Sequence, residues 1–248
     1  MCTLIILRRP GHDWPLLLGA NRDEMAGRSS RAPARHWDDR PEVVAGLDLE
    51  AGGSWLGIND HGVVAAVLNR EDSLGRLPGK RSRGELVLEA LDHAEADEAA
   101  RALAELDPAA YRPFNLVIAD PRMAFWLRHG GDGVIGVRGI EPGLHLLGST
   151  ELDDPAHPRI ARYLPRFQAA AVPDPERDDW RDWRALLADR DAPEALGPDA
   201  AMRLERADGF GTRSSALIAL PAFPGFQQGP IWLHADRDSD GETFRVVM

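Results

Sequence analysis

Cys2 is the only cysteine of the chain and directly follows Met1. A residue this small at position 2 suits methionine aminopeptidase, so Met1 is expected to be removed, leaving Cys2 with a free α-amine. Such an amine has an ordinary pKa of about 7.7–8.0, so a usable fraction is an unprotonated base at neutral pH. It can take the thiol proton within its own residue. The thiolate then attacks a carbonyl, and the ammonium protonates the leaving group. Taken alone, Cys2 reads more readily as the small, partly buried first residue of a strand, because free cysteine is commonly a core residue. Three polar segments add to it. Asn21-Arg22-Asp23-Glu24 follows an apolar stretch, where Asp23 suits an α-ammonium and Arg22 a substrate carboxylate; a salt-bridged strand end is the plainer alternative. Asn69 closes GINDHGVVAAVLN, where an amide can donate to an oxyanion or simply cap a turn. Gly211-Thr212-Arg213-Ser214 enters another apolar stretch and sets Arg213 among small polar residues that could line a pocket.

The elements that must position these residues alternate in blocks. Residues 2–8 and 15–20 are short and apolar, with the turn-rich RPGHDW between them, and predict an N-terminal β-hairpin. Strands continue over 43–69, where SWLGIN and VVAAVLN flank the turn Asp60-His61-Gly62. Ser82 and Glu85 have capping-box spacing and predict a helix from Ser82, with Val87, Ala90, Leu91 and Ala94 on its inner face. A second helix is expected over 98–106, strands over 114–149, helices over 157–170 and 178–189, and strands over 212–247. Blocks of this kind predict layered sheets with helices outside, not a doubly wound sheet. Segments 171–181 and 190–200 are polar and Pro-rich and read as surface excursions within one domain spanning 1–248.

Composition narrows the function classes. Forty acidic against 29 basic residues give a net charge of -11, which repels phosphate backbones and argues against nucleic acid. No apolar run approaches the ~20 residues of a membrane span. The N-terminal apolar stretch is too short for a signal peptide, so a cytoplasmic location is expected. One cysteine excludes an internal disulfide and a cysteine-cluster metal site, and no metal is expected. Several motifs fail. Gly131–Gly136 matches a dinucleotide fingerprint but lacks a following helix, and reads as a hairpin turn. Residues 75–81 are one residue short of a phosphate loop, and Gly52-Gly53-Ser54 misses the second glycine of a hydrolase elbow. Asp236, Asp238, Asp240 and Gly241 imitate a calcium loop but have Val247 at its twelfth position, so a solvated turn is the better reading. Of eight histidines, only His145 and His234 lie in apolar strands and merit attention as ligands.

ANRDE (20–24), GLDLEAGGSWLGIND (46–60), RGELV (83–87), FNLVIAD (114–120) and GFGTRSSALIAL (209–220) resemble the NRDE family, which includes the Transport and Golgi Organisation protein of animals. The resemblance runs from Cys2 to the end of the chain. It implies an α+β fold, a four-layer αββα sandwich of the N-terminal-nucleophile hydrolase type. More distantly the chain is similar to cysteine amidases of the choloylglycine hydrolase and penicillin V acylase kind. That similarity implies that Cys2 is the nucleophile, Asp23 holds its amine, Asn69 donates to the oxyanion and Arg213 is a late active-site arginine. The chain departs from the pattern twice. Those amidases carry an arginine three residues before the Asp, where this chain has Ala20; Arg22 shares a strand face with that position. They also use a second oxyanion Asn, and the NRDE family keeps a Ser-Asn pair there, where this chain has Ser149-Thr150. Thr150 then supplies one shorter donor, against a loss of ~2.7–4 kcal/mol when such a donor is missing.

Two functions follow as expectations. One is a cysteine amidohydrolase acting on a small amide or acylated molecule, with Asn21, Arg22, Glu24, Trp55 and Asn115 around the substrate and no cofactor required. The other is a non-catalytic binding or trafficking protein that takes haem or an acyl lipid in the same cleft, with Trp37, Trp55 and Trp126 near the motifs. Ordinary core packing is the plainer reading of each tryptophan singly. In either case the partner is a small or apolar ligand.

Overall fold

The structure, a computed structural model, describes residues 2–75, 77–223, 228–236 and 243–248. In chain order the first strands are β1 (Thr3–Arg8), β2 (Leu16–Met25), β3 (Ser30–Ala34), β4 (Val43–Asp48), β5 (Leu56–Asn59) and β6 (Val64–Asn69). Two helices follow, α1 (Gly84–Leu91) and α2 (Ala96–Ala104). Next come β7 (Phe114–Ala119), β8 (Ala124–His129), β9 (Ile135–Gly139) and β10 (Gly143–Leu147). Helices α3 (Pro158–Ala169) and α4 (Arg181–Leu187) precede β11 (Phe210–Leu220), β12 (Ile231–Asp236) and β13 (Arg245–Val246). The predicted block order is the one observed, with β3 as an additional strand.

Chain contacts fall into two units, one of residues 1–27 and 142–248, the other of residues 28–141. In the first, an antiparallel sheet runs β10-β1-β2-β11-β12-β13. Ile5, Leu7, Leu17, Leu217 and Leu233 alternate onto one face and pack against Ile160, Tyr163 and Phe167 of α3 and Trp183 and Leu187 of α4. Gly19 is small for a reason: a Cβ there would stand 3.2 Å from the Trp183 ring. In the second unit the sheet is a seven-strand meander from β3 to β9. Its odd residues in β6 (Ala65, Val67) and even residues in β7 (Phe114, Leu116, Ile118) pack against Leu86, Val87, Ala90 and Leu91 of α1 and Ala96, Ala99, Ala100 and Leu103 of α2. Each unit therefore has a sheet with helices on one face, the arrangement that the layered reading requires.

Local details refine the expectations. Helix α1 starts at Gly84 with Arg83 at its N-cap, so the Ser82–Glu85 capping box does not form. Ser82 Oγ instead accepts from Gly84 N at 3.2 Å, and the Glu85 carboxylate pairs with Arg81 at 2.6 Å. Helix α2 begins two residues earlier than the polar pattern suggests. Asp120 reaches its N-terminus, where Oδ2 accepts from Ala96 N at 3.0 Å, satisfying an amide the helix leaves open. Gly131 and Gly133 sit in the β8–β9 turn with φ of +90° and +82°, so the apparent dinucleotide fingerprint is a hairpin, as expected. Most of the calcium-loop lookalike lies outside the described residues.

Candidate functional site

Cys2 lies one residue before β1. The register that pairs Thr3 with Asn21 carries on to set Cys2 beside Arg22, and the thiol donates to the Asp23 carbonyl oxygen at 3.6 Å. On the other side, β10 pairs Leu147 with Leu4 and ends there, and Ser149 follows two residues beyond that strand. Arg22 pairs with Ser214, and Ser214 with Asp236. Cys2, Arg22, Ser214 and Asp236 thus form one polar row across the sheet. Directly opposed residues share a face, and this row continues the face of Leu4, Ala20 and Ala216, turned away from α3 and α4. Burial, and after it the Asp23 carboxylate, pushes the Cys2 thiol above its ordinary range. Ser149 is 1% exposed, and its hydroxyl has no hydrogen-bond partner among the described residues. Thr150 follows it, half-buried.

Asp23 points to the opposite face, toward α3. Its Oδ2 accepts from Arg159 Nη1 at 2.9 Å and its Oδ1 from Thr212 Oγ1 at 2.7 Å. Arg159 Nη1 also donates to Thr3 Oγ1 at 2.7 Å, and Nε donates to the Asp199 carbonyl at 3.2 Å. The ion pair is almost fully enclosed, with side-chain exposures of 2% and 0%. A β-bulge makes this possible. Between Thr212 and Ser214 the β2–β11 register shifts by one, so Thr212 opposes Asp23 while Ser215 opposes Asn21. Arg213 is the inserted residue, and its guanidinium donates to the Glu24 carbonyl at 3.0 Å and to the Gly209 carbonyl. Glu24 turns its carboxylate onto Met25 N at 2.9 Å. Asn21 is a backbone clamp: Nδ2 donates to the Leu187 and Met202 carbonyls, each at 2.9 Å, and Oδ1 accepts from Ser215 Oγ at 2.6 Å. Among the described residues His145 and His234 share no metal-ligating group; His145 pairs with Asp153 at 2.6 Å and His234 with Asp236 at 3.0 Å.

The remaining sequence-derived residues lie in the second unit. Asn69 ends β6, half-buried, opposite Phe114, and its side-chain amide makes no hydrogen bond to the described residues. Asn115 is fully buried, and its Oδ1 accepts from Arg70 Nη1 at 2.8 Å and Trp126 Nε1 at 3.2 Å. Trp55 lies on Gly46, where any Cβ would meet the indole at 2.3 Å.

A sequence profile of the Transport and Golgi organisation 2 family matches residues 1–221. The chain belongs to that family. It is similar to the Transport and Golgi organization protein 2 homologues of Bos taurus, 39% identical over 109 residues, and Homo sapiens, 37% identical over 109 residues. Those alignments cover 42% of this chain and 38% of each relative, so the match spans well under half the relatives' length. Among solved structures, an N-acylethanolamine-hydrolyzing acid amidase orthologue of Caenorhabditis elegans superposes with a TM-score of 0.63 at 12% identity, over 92% of this chain and 98% of that one. A variant of conjugated bile acid hydrolase from Clostridium perfringens gives 0.56 at 13%, over 99% and 92%. Penicillin V acylase from Agrobacterium tumefaciens gives 0.52 at 12%, over 99% and 84%. At these identities the likeness shows the fold, which is that of the N-terminal-nucleophile hydrolases.

In this Transport and Golgi organisation 2 family member, sequence reasoning missed Arg159, Thr3, Thr212 and His157. His157 is the N-cap of α3 and Pro158 its first residue, the two signals that set the helix start and so fix Arg159 in its first turn. His157 Nδ1 accepts from Ile160 N at 3.4 Å, which requires a neutral ring. Burial, followed by the nearby Arg159, pushes the His157 pKa down to about 4. The unfolded chain, with histidine near its ordinary ~6.5, binds the extra proton between these values. Stability is therefore complete above about pH 6.5 and falls as the pH drops toward 4, with a slope of at most about 1.4 kcal/mol per pH unit from this group. Denaturant unfolding at pH 7 and pH 4.5 is expected to show a smaller loss in His157→Asn, which caps without titrating. Equal losses in variant and wild type would contradict this. Among the described residues no helix is long and apolar enough to cross a membrane.

Proposed function

We propose that this chain is a cysteine N-terminal-nucleophile amidohydrolase acting on a small amide or acylated molecule. The observation that carries the reading is the polar row that begins at Cys2, with the enclosed Asp23–Arg159 pair behind it. In the proposed cycle the α-amine of processed Cys2 takes the thiol proton, and the thiolate attacks the amide carbon. Collapse of the tetrahedral species breaks the C–N bond, and the ammonium gives its proton to the departing amine. Water, deprotonated by the same amine, then cleaves the thioester. Burial and the Asp23 carboxylate raise the Cys2 thiol, so this reading requires a base, a part that the α-amine of processed Cys2 would play.

The solved neighbours are named for N-acylethanolamine, penicillin V and conjugated bile acid. Incubation with one compound of each kind, with amine release followed, tests the reading. Turnover of any of them supports it. Absence of turnover by protein whose first residue is Cys2, together with tight binding of the acyl compound, would favour the carrier reading instead.

Ser149 extends the proposal. Burying an unpaired hydroxyl costs roughly 1–3 kcal/mol, and such groups persist where chemistry needs them. As an oxyanion donor, Ser149 would find its partner in the tetrahedral intermediate. Ser149→Ala is expected to lower kcat about a hundredfold while leaving stability unchanged or slightly raised. A loss of stability with kcat intact would assign the hydroxyl to the fold, and a fall in kcat only in Thr150→Ala would move the donor to Thr150.

A further inference from the structure

We propose that Arg159 is the positioning residue of the Cys2 site, neutralising Asp23 and fixing the backbone on both sides of the thiol. This rests on the amidohydrolase reading for its purpose, but not for its test. Three observations carry it. Arg159 grips the two neighbours of Cys2: Thr3, which follows it in β1, and Asp23, whose carbonyl oxygen accepts from its thiol. Its place runs against local preference, since a cation in the first turn of a helix opposes the helix dipole. Burial at 2% exposure adds a second penalty that only a well-made pair offsets. Residues that break two local rules at once are expected at functional sites. Finally, Thr212 Oγ1 donates to the second Asp23 oxygen at 2.7 Å, so the carboxylate is held facing Arg159.

The charged groups bearing on Cys2 are Asp23 and Arg22 from β2 and the N-terminal amine, with Arg159 beyond Asp23; neutral His157 stands beside Arg159. Asp23 opposes formation of the thiolate, and the guanidinium of Arg159 paired with it weakens that opposition. Because Cys2 is the sole cysteine, alkylation by iodoacetamide across pH reads its ionisation with no substrate present. In Arg159→Gln the midpoint of alkylation is expected to rise by about one pH unit. Arg159→Lys, which keeps the charge, should restore it most of the way. A folded Arg159→Gln with an unchanged midpoint would overturn the proposal and leave Arg159 a structural ion pair. If that variant does not fold, Asp23→Asn combined with Arg159→Gln carries the test as a neutral pair of the same shape. A midpoint close to wild type in the double variant supports that weakening, whereas a midpoint well below wild type would show that Asp23 acts unopposed in the native protein. Absence of turnover in the wild type would sink the amidohydrolase reading without moving these midpoints.

Discussion

Cys2→Ala is expected to abolish hydrolysis of any amide the wild-type chain turns over, by a factor on the order of a millionfold in kcat, as when a covalent nucleophile is removed. Its fold should survive. The thiol makes one weak hydrogen bond, to the Asp23 carbonyl, and Cys2 precedes the first residue of β1 instead of filling a core position. Thermal unfolding should therefore stay within about 0.5 kcal/mol of wild type. Rates from purified variant, assayed beside wild type, decide the matter. Retention of more than about one part in a hundred would mean that another group performs the attack.

Asp23→Ala has the largest expected effect on stability. The substitution leaves the Arg159 guanidinium at 2% exposure without its carboxylate partner, although Thr3 Oγ1 and the Asp199 carbonyl still accept from it. Removing one partner of an enclosed pair costs about 3–5 kcal/mol. At this chain length that corresponds to a fall of roughly 6–20 °C in the thermal midpoint. Adding Arg159→Met to Asp23→Ala should recover much of the loss, because the buried charge leaves with its partner. A double variant no more stable than the single one would show that the loss comes from Thr212 or from the bulge around Arg213.

Much of the fold is legible in the sequence because periodicity is local. The strand and helix blocks, the turn at Gly62 and the hairpin around Gly131 all follow from residues close in the chain. The motifs were harder to interpret, since a motif does not say whether it serves chemistry or architecture. In ANRDE, Asn21 ties β2 to the Leu187 and Met202 carbonyls, and Asp23 and Arg22 bear on Cys2. In GLDLEAGGSWLGIND, Gly46 makes room for Trp55, and Gly53 lets the backbone approach Gly84 of RGELV so closely that a Cβ would stand 2.4 Å from it. Asn59 of the same motif donates to the Leu91 and His93 carbonyls where α1 ends.

Arg159 was not legible, for a physical reason. It is 136 residues from Asp23 in sequence, and nothing adjacent to either residue announces the pair. Only the docking of α3 on the sheet joins them. The bulge at Arg213 was equally hidden. Uniform alternation would put Thr212 on the face of Ser214, and the single inserted residue turns it to Asp23 instead.

Cys2 as an N-terminal nucleophile requires that Met1 be gone, and the intact mass of the purified, active protein tests this most directly. The expected result is a mass short of one methionine residue, with Cys2 as the first residue. A full-length mass in protein that still hydrolyses an amide would contradict the mechanism, because the α-amine would then belong to Met1 and could not serve as the base within Cys2.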